Sequence, residues 1–383
     1  MKLLFWLMLF FIFYCYFGYP LALFILARIK PRTVQKHSIT PSVSIVIAVC
    51  DEEDVIAEKM QNLLAADYPK DEMEILIGSD GSKDATNGII KGIKDSRIKL
   101  FEQAERSGKI SMLNCLVPKA KNSIIIFTDA RQTFAPNTIK ELVMNFADPQ
   151  IGCVSGELML GGAQGATGKG INLYWEYEKF IRNLESKIHS MIGATGAIYA
   201  IRRELFEPAP EHVVLDDVYI PLKIVQKGYR AVFEPEARAY DRVAESAREE
   251  HSRKTRTLFG NYQIFTLFPQ MFIPWRSPLA IQLFSHKFLR LLVPFFMVAL
   301  FLINLVVIDE PGYIIIYGMQ VIFYLMALVG ALLRGAKYGI FKLVSRVCYV
   351  PYVFCLLNFS AFVGFLKFIQ AKQDVVWEKA RSQ

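Results

Sequence analysis

Residues 44–54 read SIVIAVCDEED, residues 74–84 read EILIGSDGSKD and residues 124–131 read IIIFTDAR. Each begins as an apolar run rich in β-branched residues and ends in carboxylates. Continuous apolar runs of this length, with no alternation, predict strands covered on both faces. Between the first two, residues 54–66 carry the apolar period of an amphipathic helix. Strand and helix alternating in this order predict an α/β fold over residues 41–262, with a mostly parallel sheet and helices on both faces. Such sheets bind ligands beyond the carboxyl ends of their strands. One carboxylate at a strand end reads as a helix cap. Three of them aimed at one edge predict a site for a polar ligand.

The flanks have a different composition. Of 383 residues, 53% are hydrophobic and 21% charged, which excludes a disordered chain, a collagen-like fibre and a small disulfide scaffold. The mean hydropathy of +0.29 exceeds that of an ordinary soluble enzyme and predicts a soluble domain joined to membrane helices. Residues 3–27 are almost uninterruptedly apolar and end in Arg28, Lys30 and Arg32. About 20 apolar residues suffice to span a bilayer. This run is longer than a signal-peptide core and no small-residue cleavage site follows it, so it reads as an anchor. The cations after it place the next domain on the cytoplasmic side. Further spans are expected at 288–308, 313–333 and 347–369; the last contains Pro351 and is compatible with a crossing or a re-entrant segment. Between the last two, residues 334–346 read as a cytoplasmic interfacial segment, and residues 264–286 as helices lying in the interface. The expected division is therefore an N-terminal transmembrane helix (1–29), the α/β domain (30–262), interfacial helices (263–287), a C-terminal membrane region (288–370) and a tail (371–383). Much of the formal charge of +8 flanks the apolar runs, which fits a cytoplasmic membrane face and no nucleic-acid partner. The six cysteines form no CxxC pair, so neither a zinc site nor a disulfide framework is expected.

Within the α/β domain the polar residues recur in a definite order: Ser44-Ile45-Val46-Ile47 with Glu52; Gly78-Ser79-Asp80-Gly81-Ser82-Lys83-Asp84; Ser107-Gly108-Lys109 with Leu113-Asn114; and Thr128-Asp129-Ala130-Arg131. Gly193-Ala194-Thr195-Gly196-Ala197, Leu215-Asp216-Asp217 and Arg253-Lys254-Thr255-Arg256 with Gly260 follow. Together these resemble the family 2 glycosyltransferases of GT-A fold, in particular the membrane-bound polysaccharide-synthase branch. The resemblance covers the whole soluble domain and rests on the order and spacing of motifs that are individually weak.

The resemblance implies a UDP-sugar donor, with Glu52 and Asp80 gripping uracil and ribose and Lys109 bracing the nucleotide pocket. Asp129 would be the first residue of the family's DxD motif and hold Mg²⁺ or Mn²⁺ against the diphosphate. Here the third position is Arg131, which could face the phosphates itself. Asp217 would be the general base of an inverting transfer, with Asp216 in place of the usual Glu. Where the synthases carry QxxRW, this chain has Arg253, Arg256 and Thr257, so two cations could reach the diphosphate while the acceptor-stacking Trp is missing. That puts long-chain processivity in question. Gly196 belongs to a motif whose small residues let the acceptor approach closely. The Gly-rich run 161–170 lacks the spacing of a phosphate-cradling loop and is expected to be a mobile loop over the acceptor site.

The implied activity is transfer of a sugar from a UDP-sugar to a hydroxyl of a growing surface glycan, at the inner face of the cell membrane. A second reading is transfer of one sugar to a lipid carrier without translocation. Four spans are few for a passage, so translocation would call for a homo-oligomer. A third reading, a non-catalytic nucleotide-sugar sensor, has the altered motifs in its favour and the surviving base Asp217 against it.

Overall fold

The structure, a computed structural model, describes residues 1–161, 166–242, 247–333 and 339–370. The chain divides into two compact units. One comprises Ile29–Gly161 and Arg182–Arg242; the other comprises Met1–Arg28, Gly162–Ile181 and Val243–Gln373.

The first unit is built on eight strands: β1 (Val43–Val49), β2 (Met73–Asp80), β3 (Ile98–Gln103), β4 (Ile124–Phe127), β5 (Thr133–Phe134), β6 (Ile151–Gly161), β7 (Tyr199–Arg202) and β8 (Arg230–Arg242). They form one sheet in the order β3-β2-β1-β4-β7-β6-β8-β5. β1 to β4 are mutually parallel, β7 runs antiparallel to both β4 and β6, and β8 runs parallel to β6. This is the mostly parallel α/β sheet expected from the alternating runs. Every residue of β1 and β2 is buried, as the lack of alternation in their sequences requires. Their Ile and Val side chains meet the helix Ile56–Leu64 through Ile56, Met60 and Leu63 in one core cluster. Each such side chain contributes roughly 1.5–3 kcal/mol by burial, which fixes the face of that helix turned to the sheet. The antiparallel β7 matters for the site. Tyr199 pairs with Phe127, so the turn before β7 and the turn after β4 lie at the same edge of the sheet.

Among the described residues of the second unit, four helices are long and apolar enough to cross a membrane: Lys2–Ile29, Ala280–Val306, Tyr313–Leu332 and Val347–Ile369. Phe5 packs on Leu300 and Ile303, Cys15 on Leu289 and Val293, and Tyr262 on Leu291 and Ala361. The helix Gly339–Ile369 continues through Pro351. Helix Ala247–Leu267 and the short turn Pro269–Phe272 precede Ala280, so His286 stands inside the second candidate span. There the buried Glu178 pairs with His286 at 3.2 Å and with Arg290, as charges in an apolar setting must.

One expectation needs correction. Of the glycine-rich run, residues 162–165 lie outside the described residues, but from Ala166 the chain is already the helix Ala166–Ile188 and not a loop. Gly168 and Gly170 each cost about 1 kcal/mol against alanine in a helix. A helix of 23 residues carries that cost. The cations at Lys372, Lys379 and Arg381 and residues 334–338 of the expected interfacial segment 334–346 also lie outside the described residues.

Candidate active site

The turns after β1 and β2 are laced together. Glu52 donates its N–H to Thr86 Oγ1 at 2.8 Å, Glu53 donates its N–H to Asp84 Oδ2 at 3.1 Å, and Glu53 Oε2 accepts from Ala85 N–H at 2.9 Å. Asp51 Oδ1 accepts from Lys83 N–H at 2.8 Å, and Asp51 donates its own N–H to Ser82 Oγ at 3.1 Å. Asp51 also has φ of 55°, in the left-handed region that non-glycine residues seldom occupy. Strained backbone directly after a central strand is a recurrent mark of a functional site. The half-buried Glu52 is thereby held at the carboxyl end of β1.

Asp80, the last residue of β2, is 1% exposed. Its Oδ1 accepts from Ser107 N–H at 2.6 Å and Ser107 Oγ at 3.0 Å, and its Oδ2 accepts from Gly108 N–H at 2.8 Å. Gly108 has φ of 97°, which a side chain would resist, and the next residue opens the helix Lys109–Leu116. Asp80 therefore anchors the turn that launches Lys109. A carboxylate has about four acceptor positions, so the turn uses three of them. Asp80→Ala is expected to lower stability by about 2–4 kcal/mol, because it strands two backbone donors and removes a charge-assisted acceptor. A thermal-unfolding series against wild type checks this, and an unchanged midpoint would refute the anchoring role.

Lys109 joins two of the strand-end and helix-start carboxylates. Its Nζ lies 3.0 Å from Asp129 Oδ1 and 3.4 Å from Asp216 Oδ2. Burial alone would push its ammonium down, but Asp129 and Asp216 outweigh burial and hold it above the usual lysine range. Asp129 stands two residues beyond β4 with 30% of its side chain exposed. Arg131, two residues further, is exposed.

Asp216 and Asp217 open the helix Asp216–Gln226. Asp217 Oδ2 accepts the Gly196 N–H at 3.1 Å, and its carbonyl accepts the Ala194 N–H at 2.7 Å. A Cβ on Gly196 would stand 3.1 Å from Asp217 Oδ2, so the glycine leaves that oxygen room. Arg182 donates to Thr195 Oγ1 at 2.8 Å, which fixes the floor turn from the other side. A helix N-terminus ordinarily favours the carboxylate form. For Asp217 burial pushes the other way, the charge of Asp216 adds to it, and Lys109 and Arg182 pull back; the balance leaves the carboxyl raised to about 6.

Asp80, Lys109, Asp129, Asp216, Asp217 and Gly196 thus meet at one edge of the sheet, with Glu52 at the neighbouring strand end. Arg256 is a half-buried residue of the helix Ala247–Leu267 in the other unit; Arg253 is on the same helix, its side chain outside the described residues. Among the described residues no three His, Cys, Asp or Glu side chains are grouped to hold a metal by themselves. Lys59 was not expected here. It is 1% exposed, donates to Thr128 Oγ1 at 2.8 Å and to the Gln132 carbonyl at 2.6 Å, and burial lowers its ammonium to about 7. Its signal in the sequence is a lysine on the apolar stripe of Ile56, Met60 and Leu63.

The sheet is the mostly parallel one that the motifs implied, with a lysine-bridged acidic cluster at the carboxyl ends of its strands, and residues 44–208 match the Glycosyl transferase family 2 model. The chain carries a family 2 glycosyltransferase domain. This glycosyltransferase domain and its flanks are 24% identical over 290 residues to the Probable glycosyltransferase YdaM of Bacillus subtilis, covering 72% of this chain and 69% of that protein. They are 26% identical over 231 residues to the Poly-beta-1,6-N-acetyl-D-glucosamine synthase of Staphylococcus aureus, covering 58% of this chain. That match spans 55% of the synthase, about half its length. Among solved structures, the mannosyltransferase PcManGT of Pyrobaculum calidifontis, in complex with GDP-Man and Mn²⁺, superposes with a TM-score of 0.73 at 21% identity. The superposition covers 97% of this chain and 100% of that one, and it shows the GT-A fold.

Proposed function

We propose that the chain is a membrane-bound inverting glycosyltransferase that moves a sugar from a UDP-sugar to a hydroxyl of a growing surface glycan at the inner membrane face. The observation that carries this reading is Asp217: a carboxyl raised to about 6, oriented by the Gly196 N–H, beside a lysine that pairs with Asp129 and Asp216. A general base serves best when its pKa lies near the working pH. In the proposed step the acceptor oxygen bonds to the anomeric carbon as the bond from that carbon to the diphosphate oxygen breaks. The hydroxyl proton passes to Asp217. Lys109 offsets negative charge on the diphosphate side, and Glu52, with the turn anchored by Asp80, holds the nucleoside.

The cleft suits a divalent cation bound jointly with the donor, since a hard cation commonly takes one or two carboxylates and substrate phosphates. Asp129, partly exposed, would hold it, and the ion, Mg²⁺ or Mn²⁺, would neutralise the leaving diphosphate. In this reading residues 30–262 carry the transfer, the four apolar helices hold the chain in the bilayer, and Arg253 and Arg256 serve the diphosphate or acceptor side. The poly-GlcNAc synthase relatives support glycan synthesis. The substituted QxxRW positions Arg253, Arg256 and Thr257 favour the second reading, one sugar moved to a lipid carrier.

The test is nucleoside-diphosphate release by the detergent-purified protein against a panel of UDP- and GDP-sugars, with Mn²⁺ and with EDTA. UDP release that EDTA suppresses is the expected result. GDP release alone would replace the donor, as the GDP-Man of the Pyrobaculum calidifontis neighbour illustrates. Release from neither would end the transferase reading. A ladder of product lengths supports glycan elongation, and a single glycolipid supports the second reading.

A further inference from the structure

We infer that Lys59 is a positioning residue for the transfer, a buried staple that holds the turn carrying Asp129 and Arg131 in the form that receives the donor's diphosphate. The inference rests on the nucleoside-diphosphate donor proposed above.

The helix Ile56–Leu64 turns Ile56, Met60 and Leu63 into the core, and Lys59 shares that buried face. Its ammonium reaches Thr128 Oγ1 at 2.8 Å and the Gln132 carbonyl oxygen at 2.6 Å, and it lies 4.4 Å from the centre of the Phe134 ring. Those acceptors stand one residue before and three residues after Asp129. One side chain therefore closes the turn at both ends. Gln132 is tied a second time, donating Nε2–H to Asp241 Oδ2 of β8 at 2.7 Å. The turn is gripped from two elements while Arg131 at its tip stays exposed.

Stability does not call for a lysine here. Among the described residues no carboxylate lies within ion-pair distance of Lys59, and burying an ammonium without one costs several kcal/mol. An apolar side chain of like volume would fill the same stripe without that cost. What the lysine adds is local. It supplies two hydrogen bonds that tie the turn on either side of Asp129 and, where the lysine is protonated, a positive charge beneath a turn that has one carboxylate to offer a cation, that of Asp129, which favours the protonated form against burial. Preorganised charge of this kind acts on phosphate oxygens and not on the base or ribose.

That separation gives the test. The full chain, purified in detergent with Mn²⁺ present, is titrated with UDP and with UMP, as wild type, Lys59→Met and Thr128→Val. Wild type is expected to prefer UDP. In Lys59→Met the UDP affinity should fall at least tenfold with UMP affinity within twofold, and in Thr128→Val the UDP affinity should fall severalfold with UMP again unchanged. Thermal midpoints are recorded for each. UDP and UMP affinities falling together would reduce Lys59 to a core residue, and an unaltered UDP preference in both variants would remove its role altogether. If Lys59→Met does not fold, Thr128→Val decides alone, because it cuts one end of the staple and keeps the lysine. A wild type that binds neither UDP nor UMP refutes the donor reading instead, so the two failures are distinct.

Discussion

Asp217→Asn is expected to slow nucleoside-diphosphate release about 10³-fold, within the range a positioned general base supplies, while leaving the Kd for UDP within about threefold. The amide keeps the size of the side chain and can still accept the Gly196 N–H, so the turn at 193–196 should hold its form. It cannot accept the acceptor's proton. The base works deprotonated, and its carboxyl is raised to about 6 by burial and by Asp216. Wild-type kcat/KM should therefore fall as pH drops through about 6, and the residual activity of the variant should lack that limb. The same shift has a stability sign. A folded-state pKa above the unfolded value near 3.9 means that the ionised carboxylate opposes folding above pH 6. That opposition fades as pH falls from about 6 towards 4, and Asp217→Asn should remove it at neutral pH. A variant that loses UDP binding along with turnover would show that Asp217 holds the donor, and one that keeps turnover would remove it from the chemistry.

The strands were plain in the chain because parallel strands buried on both faces leave uninterrupted runs such as Ile45-Val46-Ile47 and Ile124-Ile125-Ile126. The carboxylates after them were legible for a related reason, since polar residues directly following such runs have one edge of the sheet to occupy. Partner choice was not legible. Lys109 reads as a lysine at a helix start; its partner Asp129 lies 20 residues away in the chain, and its partner Asp216 opens a helix beyond β4 to β7 in sequence. Only the antiparallel insertion of β7 beside β4 brings the 193–196 turn, and with it Asp217, to that edge. The resemblance places Asp80 on the nucleoside; its bonds to the 107–108 turn were not legible, because they depend on where the chain returns after β3. Periodicity also failed at Lys59, because a pattern that marks a buried stripe gives no reason for a charge within it. The glycines at 168 and 170 suggested a loop where the helix had already begun, since local propensity yields to the packing of a long helix.

Lys109→Met should be the most disruptive single change in the cleft after the base itself. It removes the cation that lies 3.0 Å from Asp129 and 3.4 Å from Asp216, and leaves Asp217 to feel the charges of Asp216 and Asp129 with Arg182 to offset them. Removing one partner from a buried ionic group costs about 3–5 kcal/mol, here at the low end because Lys109 and Asp129 keep 15% and 30% of their side-chain exposure. The wild-type lysine is held above its usual pKa, so its contribution is complete at every pH below about 10 and is lost only above. In the variant the carboxylates can relieve their repulsion by taking up a proton. The stability deficit should therefore be larger at pH 8 than at pH 6, and the acid limb of kcat/KM should move at least about one unit towards alkaline pH as Asp217 loses its compensating charge. Thermal unfolding at the two pH values and a pH–rate profile read both effects. If the deficit is the same at both pH values and the limb stays near 6, Lys109 does not neutralise this cluster, and the diphosphate side of the cleft must be sought elsewhere.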